Sequence, residues 1–169
     1  MRYLIPVNSP QAAIGPIEKL VAANRMGTKV EAVLLNVQRP FNRRVAEHSH
    51  KADRDSLRAE RSREVMAAAI EHLSCAGIPF RAMTDVGSPA QCIAAVAEAQ
   101  HVDQILMGVT RRSPWADLLL PSMARAVGEQ TSVPVTLVPR DKASRVERYL
   151  LVAGAATAAG VAALLFTAD

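Results

Sequence analysis

The chain has 169 residues, half of them apolar and only 4% aromatic, and its net charge at pH 7 is +4. This length fits one domain with a sizeable core, and a charge this modest is less informative than its placement. The N-terminus has one basic residue and too short an apolar run for a signal peptide, so we expect the bulk of the chain in the cytoplasm. Cys75 and Cys92 lie at no metal-ligand spacing and are expected to be free, buried thiols.

Short apolar runs alternate with helical patterns along most of the chain. In chain order we predict strands at 3–7, 30–37, 80–86, 104–107 and 134–138, and helices at 11–24, 51–76, 89–100 and 115–129. The first two helices should end near Gly27 and at Gly77. Pro16 indicates that the first helix begins there or is kinked. This alternation predicts a doubly wound parallel α/β sheet.

The stretch 103–138 is the most informative part of the chain. A buried-strand pattern (QILM, 104–107) ends at Gly108, and a polar turn, a helical pattern and a second apolar run follow. Strand, glycine turn, helix and strand over this length form one parallel βαβ unit. In such units a ligand binds where the carboxyl end of the strand meets the start of the helix. A binding site is therefore expected beside Gly108.

These residues resemble the universal stress protein (UspA-like) family. The family's phosphate loop reads Gly, two residues, Gly, nine residues, Gly, then Ser or Thr, and that spacing falls here on Gly108, Arg111, Pro121 and Ser122. Two further segments agree, because VGSPA before a helix resembles the family's G-x-P-A helix start and VDQILMG resembles its ADLIVMG strand. The resemblance covers about residues 1–139. It implies a five-stranded parallel sheet with strand order 3-2-1-4-5.

The resemblance also implies an adenine-nucleotide site. The candidate nucleotide or anion site in this chain consists of six residues: Asn8, Val37, Gly108, Arg111, Arg112 and Ser122. Asn8 stands where the family has an acidic residue, Arg111 replaces a glycine, and Pro121 has no N–H to donate at the third glycine position. We therefore expect that no cofactor binds. If this degenerate loop does bind a ligand, ATP or AMP is expected. The arginine pair either holds an anion by its side chains or is solvated, and Ser122 is either a ligand contact or a helix-start hydroxyl.

Other kinds of site have little support in the sequence. No Ser-His-Asp, Cys-His or paired-carboxylate arrangement is apparent, so we expect no catalysis, and nucleotide hydrolysis is only a minor alternative. His48 and His50 resemble a metal pair loosely, with no further ligand at useful spacing, so no metal site is predicted. The most basic stretch has acidic residues interleaved after position 47 and only Phe41 as an aromatic residue. No nucleic-acid partner is therefore predicted, although this stretch would face anionic lipid or an acidic partner if the chain were membrane-bound.

Residues 149–167 carry no charge (YLLVAGAATAAGVAALLFT). As a helix they would span about 28 Å, close to the hydrocarbon thickness of a bilayer. The preceding segment 140–148 is basic, which is the positive-inside arrangement for a C-terminal anchor. A buried helix in a dimer, or an apolar tail docked on the sheet edge, remains the alternative. Small residues at helical spacing would let another helix approach closely, namely Ala153 with Thr157 and Ala156 with Gly160.

The sequence thus predicts three segments: a UspA-like domain (1–139), a basic linker (140–148) and an apolar C-terminal helix, which is interpreted as transmembrane (149–167). The leading hypothesis is a non-catalytic accessory or regulatory protein, anchored by this helix with its domain in the cytoplasm and bound to an integral membrane protein complex. The alternative is a soluble, cytoplasmic stress-response sensor that binds ATP or AMP. It would dimerise through the last strand (135–138), as the resemblance implies.

Overall fold

The computed structural model describes residues 1–40, 50–109 and 123–139, which form a parallel sheet covered by helices on both faces. The strands are β1 (Arg2–Pro6), β2 (Glu31–Gln38), β3 (Phe80–Val86), β4 (Gln104–Val109) and β5 (Val135–Pro139). The helices are α1 (Pro10–Arg25), α2 (Lys51–Cys75) and α3 (Pro89–Ala99), and residues 123–128 are also helical. Most of these bounds lie within one or two residues of the predicted ones.

The strand order in the sheet is β3-β2-β1-β4-β5, and every neighbouring pair is parallel. This confirms the predicted five-stranded sheet with order 3-2-1-4-5. The chain moves to one side of β1 to form β2 and β3, and then crosses to the other side to form β4 and β5. The order therefore reverses between β1 and β4, which is the position where ligands bind in open parallel sheets.

Alternate residues of the strands supply two separate cores. Ile5 and Leu34 face α1 and α2, where they pack with Leu20 and Leu73. The other face carries Leu4, Val33, Leu35, Ile105 and Met107, which pack against α3 and the last helix. Because both faces are covered, the central strands read as nearly continuous apolar runs. The placement of the carboxyl ends of β1 and β4 depends on both cores.

Helices α1, α2 and α3 all end in the same hydrogen-bonded turn. In α1 and α2 the left-handed position is Gly27 (φ 87°) or Gly77 (φ 64°), as the sequence predicted. In α3 this position is His101, with φ 48°. Its N–H donates to the Glu98 carbonyl and the next N–H, of Val102, donates to the Ala97 carbonyl. The histidine therefore occupies a backbone conformation that normally favours glycine.

Two local predictions were wrong, and one of the two alternatives at Pro16 is excluded. Helix α1 does not begin at Pro16 but runs through it from Pro10. Strand β4 does not end before Gly108, which pairs with Val138 inside the sheet. Cys75 is exposed, whereas Cys92 is buried as expected. Pro16 and Gly108 both lie where α1 and β4 approach each other.

No helix within the described residues is long and apolar enough to cross a membrane. The linker 140–148 and the apolar segment 149–167 lie outside the described residues. The same is true of the small residues expected to pack that segment, Ala153, Ala156, Thr157 and Gly160. The anchor and its helix contacts therefore stay predictions.

Candidate functional site

The turn between β1 and α1 lies at the reversal of strand order. The β1–β4 register pairs Leu4 with Ile105, and three further residues along each strand bring Val7 level with Gly108. Val7 is buried, but Asn8 directly after it is exposed. Ser9 then stands at the N-cap position of α1 without a capping hydrogen bond from its side chain, and α1 begins with Pro10. The structure therefore brings two of the predicted site residues, Asn8 and Gly108, to the same edge of the sheet.

Gly108 is in close contact with the backbone of α1. A Cβ built on Gly108 would lie 1.7 Å from the carbonyl oxygen and 2.7 Å from the carbonyl carbon of Ala12. It would also lie 3.2 Å from Cδ of Pro16. Pro16 has no N–H, so the Ala12 carbonyl lacks the helical donor four residues later and is directed at β4 instead. On the side of Gly108 that faces α1, the space left by the missing side chain is filled by the Ala12 carbonyl and is not open to a phosphate.

A buried amide fixes the turn that carries Asn8. Asn36 on β2 is only 4% exposed, and its Nδ2 donates to the carbonyl oxygen of Val7 at 2.7 Å. The N–H of Val7 in turn donates to the Leu35 carbonyl at 2.8 Å. Both backbone groups of Val7 are thus bonded to β2. Asn8 therefore projects from a turn whose preceding residue is held from both sides.

Gln38, the last residue of β2, extends this network to α2. Its Nε2 donates to Oδ1 of Asn36 at 3.0 Å and to the carbonyl oxygen of Arg58 at 2.8 Å. The Gln38 carbonyl accepts the N–H of Gly87, after β3, at 3.0 Å. A second polar contact joins α2 to the sheet, between the hydroxyls of Ser62 and Thr84 at 2.5 Å.

The remaining predicted nucleotide-site residues are more distant or outside the described residues. Val37 is half-buried on the opposite face of β2, where it packs against the core under α3 and the last helix. It is therefore not grouped with Asn8 by any described contact. Arg111, Arg112 and Ser122 lie outside the described residues, so their contribution to the site stays a prediction.

A buried thiol lies near the end of β3. Burial raises the pKa of Cys92, and a hydrogen bond to Asp85 and the negative charge of that carboxylate raise it further. A Cβ on Gly87 would lie 2.9 Å from Sγ of Cys92, so the turn before α3 packs directly on the sulfur. A protonated, enclosed thiol is a poor nucleophile. We assign Cys92 no chemical role.

Within residues 1–40, 50–109 and 123–139, no group of three His, Cys, Asp or Glu side chains is placed to hold a metal ion. His50 is exposed directly before α2, and His48 lies outside the described residues.

Sequence reasoning missed the residues that shape this edge: Ala12, Pro16, Asn36 and Gln38. Two signals were present. Pro16 interrupts an otherwise regular helical pattern, and Asn36 is the one polar residue inside the apolar run AVLLNV. A polar residue at a buried strand position needs a hydrogen-bond partner, but the pattern does not reveal which one.

Comparison with known proteins identifies the fold. The model of the universal stress protein family matches residues 1–139. No curated protein matches the chain significantly.

Many solved structures are similar to the chain. The hypothetical protein MJ0577 has a TM-score of 0.66 at 22% identity, with 84% of this chain and 97% of that chain covered. A universal stress protein family protein from Arabidopsis thaliana, with AMP bound, has a TM-score of 0.58 at 16% identity, covering 84% and 93%. The universal stress protein from Archaeoglobus fulgidus in complex with dAMP has a TM-score of 0.56 at 16% identity, covering 82% and 97%. At these identities the similarity shows the fold alone.

Proposed function

The chain belongs to the universal stress protein family, and from this premise we propose that it is a non-catalytic regulatory protein that binds an adenine nucleotide at the turn between β1 and α1. The observation that carries the proposal is this turn, which lies at the reversal of strand order and presents exposed Asn8 while Asn36 holds Val7 in place. Two proteins with the same fold contain AMP or dAMP. The soluble sensor expected as the alternative from the sequence is thus favoured over the membrane-anchored protein.

The contacts available at this turn favour a nucleoside monophosphate. The Asn8 amide both donates and accepts hydrogen bonds, which suits ribose hydroxyls. Backbone contact with phosphate is limited, because Pro121 has no N–H and the Ala12 carbonyl covers Gly108 on the α1 face. Side chains of Arg111 and Arg112 would then supply the positive charge for one phosphate group. We expect AMP to bind at least as tightly as ATP.

Isothermal titration of the purified full-length chain with adenosine, AMP and ATP tests this proposal. We expect AMP to bind with a Kd below about 1 mM and Asn8→Ala to weaken binding by about threefold or more, the loss of one hydrogen bond. Gln130→Ala is the matched control. Gln130 is also an exposed amide, but it follows the last helix and lies at the end of the sheet where the strands begin. Phosphate release from ATP should not exceed that of a protein-free control. Absence of binding for all three ligands would overturn the proposal.

A homodimer through β5 is part of the same proposal. Among the described residues, β5 lies at one edge of the sheet beside β4, and Leu137 on this strand is 37% exposed. An apolar edge strand favours pairing with a second copy. Light scattering should find a dimer for the parent chain and a monomer for Leu137→Lys. An unchanged mass for this variant would contradict the β5 interface.

A second candidate function rests on residues 149–167, an uncharged stretch preceded by basic residues. In this case the chain is an accessory protein held at a membrane and bound to an integral membrane protein complex through Ala153, Ala156, Thr157 and Gly160. Membrane fractionation with an alkaline carbonate wash tests it, by comparison of the full chain with one that ends at Arg148. The anchor predicts that only the full chain stays in the washed membrane. If both forms are released, the anchor is wrong.

A further inference from the structure

We propose that Gln38 is a positioning residue that couples occupancy of the turn between β1 and α1 to the first three turns of α2. This inference rests on the proposed nucleotide site. It starts from the described side chains that are both polar and buried, Asn36 at 4% and Ser62 at 2% exposed. A buried polar group costs free energy unless it is hydrogen-bonded, so the partners of these two side chains matter for the fold.

The amide groups of Asn36 and Gln38 form a chain with a defined direction. Asn36 donates to the Val7 carbonyl, which leaves its oxygen to accept from Gln38. The second hydrogen of the same Gln38 nitrogen goes to the Arg58 carbonyl. Because both ends of the chain are backbone carbonyls, rotating the Asn36 amide would place its oxygen against the Val7 oxygen. The network therefore has one arrangement and connects two backbone segments rigidly.

One of these segments is the ligand turn. Val7 precedes Asn8, the exposed residue proposed to contact the nucleotide. A ligand bound to Asn8 restrains movement of the adjacent Val7 carbonyl, which is the first acceptor of the amide chain. Any displacement of this carbonyl changes the bond to Asn36 and, through it, the bond from Gln38.

The other segment is the part of α2 that the sheet does not support. Helix α2 starts beyond the carboxyl edge of the sheet, and the side chains of residues 51–61 are exposed or only half-buried. Its buried side chains begin at Ser62. At 1.5 Å per residue, residues 51–61 form about 16 Å of helix without a core of their own. Such a segment unfolds locally more easily than the rest of the fold, so its stability responds to each contact that anchors it.

Gln38 supplies one such contact from the sheet, because its bond to the Arg58 carbonyl joins this part of α2 to β2. A further polar contact, between Ser62 and Thr84, reaches β3 and does not include the ligand turn. Ordering of the turn should therefore slow the opening of residues 51–61 through Gln38, independently of Ser62.

Hydrogen exchange of the full-length chain, followed by mass spectrometry with and without saturating AMP, tests the coupling. In the parent chain AMP should slow exchange in residues 51–61 by about threefold or more, while Gln38→Met should keep the affinity for AMP within about twofold and lose this protection. Ser62→Ala is the matched control, since it removes the other polar contact between α2 and the sheet but should keep the AMP-dependent protection.

The outcomes separate the two proposals. If AMP binds but does not slow exchange in residues 51–61 of the parent chain, the coupling is overturned and the nucleotide site stands. The coupling is also overturned if Gln38→Met shows the same AMP-dependent protection as the parent chain, or if Ser62→Ala loses it. If neither AMP nor adenosine binds the parent chain, the proposed function fails and the coupling fails with it.

Discussion

The carbonyl oxygen of Ala12 occupies the space that a side chain on Gly108 would fill, since a Cβ on Gly108 would lie 1.7 Å from it. Pro16 removes the N–H that would normally bond this carbonyl within α1. The proline in the helix and the glycine in the strand are therefore two parts of one contact, which brings α1 onto β4 beside the candidate site.

Gly108→Ala should destabilise the protein by about 3 kcal/mol or more, because the new methyl group meets backbone that moves only with the whole helix. Gly128→Ala is the matched control. Gly128 is helical, and a Cβ there would meet no atom within 4 Å, so this change should be neutral or stabilise by up to about 1 kcal/mol. Urea unfolding of both variants measures the difference. Equal stability of the two variants would show that α1 yields at Ala12.

Asn8→Asp should increase the affinity for adenosine. A carboxylate accepts ribose hydroxyls through charge-assisted hydrogen bonds, which are roughly twice as strong as neutral ones. We expect a gain of about three- to tenfold, measured by titration with adenosine, which has no phosphate to repel the new charge. A loss of affinity would mean that the Asn8 amide acts as a donor to the ligand.

Cys92 should react with iodoacetamide much more slowly than exposed Cys75 at pH 8. Burial, followed by the hydrogen bond to Asp85 and its charge, raises the pKa of Cys92, so little of the reactive thiolate is present. Asp85→Asn should lower the pKa of Cys92 and speed its alkylation relative to Cys75. The pH dependence of both rates, followed by mass spectrometry, measures the shift.

The same thiol should affect stability at high pH. The folded chain keeps the Cys92 proton more tightly than the unfolded chain, because the pKa of Cys92 is raised on folding. Its contribution is fully present below the pKa of the unfolded thiol, about 8.5, and is lost as the pH rises through the folded pKa. The free energy of unfolding should therefore fall above about pH 8.5, and less so in Cys92→Ala. Identical pH profiles would contradict this linkage.

His101→Gly should stabilise the protein by up to about 1 kcal/mol, because glycine adopts the left-handed conformation at the end of α3 without steric cost. The reverse change, Gly77→His, places a histidine at the equivalent position of α2 and should destabilise by a similar amount. Thermal unfolding of both variants gives the comparison. If His101→Gly lowers the melting temperature, the imidazole must make a stabilising contact that outweighs the backbone strain.

Much of the fold was predictable because its signals are local. Apolar runs and helical patterns placed the five strands and helices α1 to α3 to within about two residues, and Gly27 and Gly77 marked two helix ends correctly. The start of the helix predicted at 115–129 lies outside the described residues. His101 at the third end was not identified, since histidine has no strong preference for that conformation. Of the predicted site residues, Asn8 and Gly108 lie at the same edge of the sheet, where the strand order reverses, whereas Val37 lies on the opposite face of the sheet. Spacing along a strand places a residue on a face, but it does not show which faces meet at a ligand.

By itself the sequence determined the order of the elements and the class of sheet, because periodicity and turn residues act over a few positions. The resemblance to a family added the strand order. Only the tertiary structure decided that Gly108 accommodates Ala12 and that Asn36 holds Val7. These contacts join residues far apart in the chain, and they form only when helices and strands pack at specific distances, which no local pattern encodes.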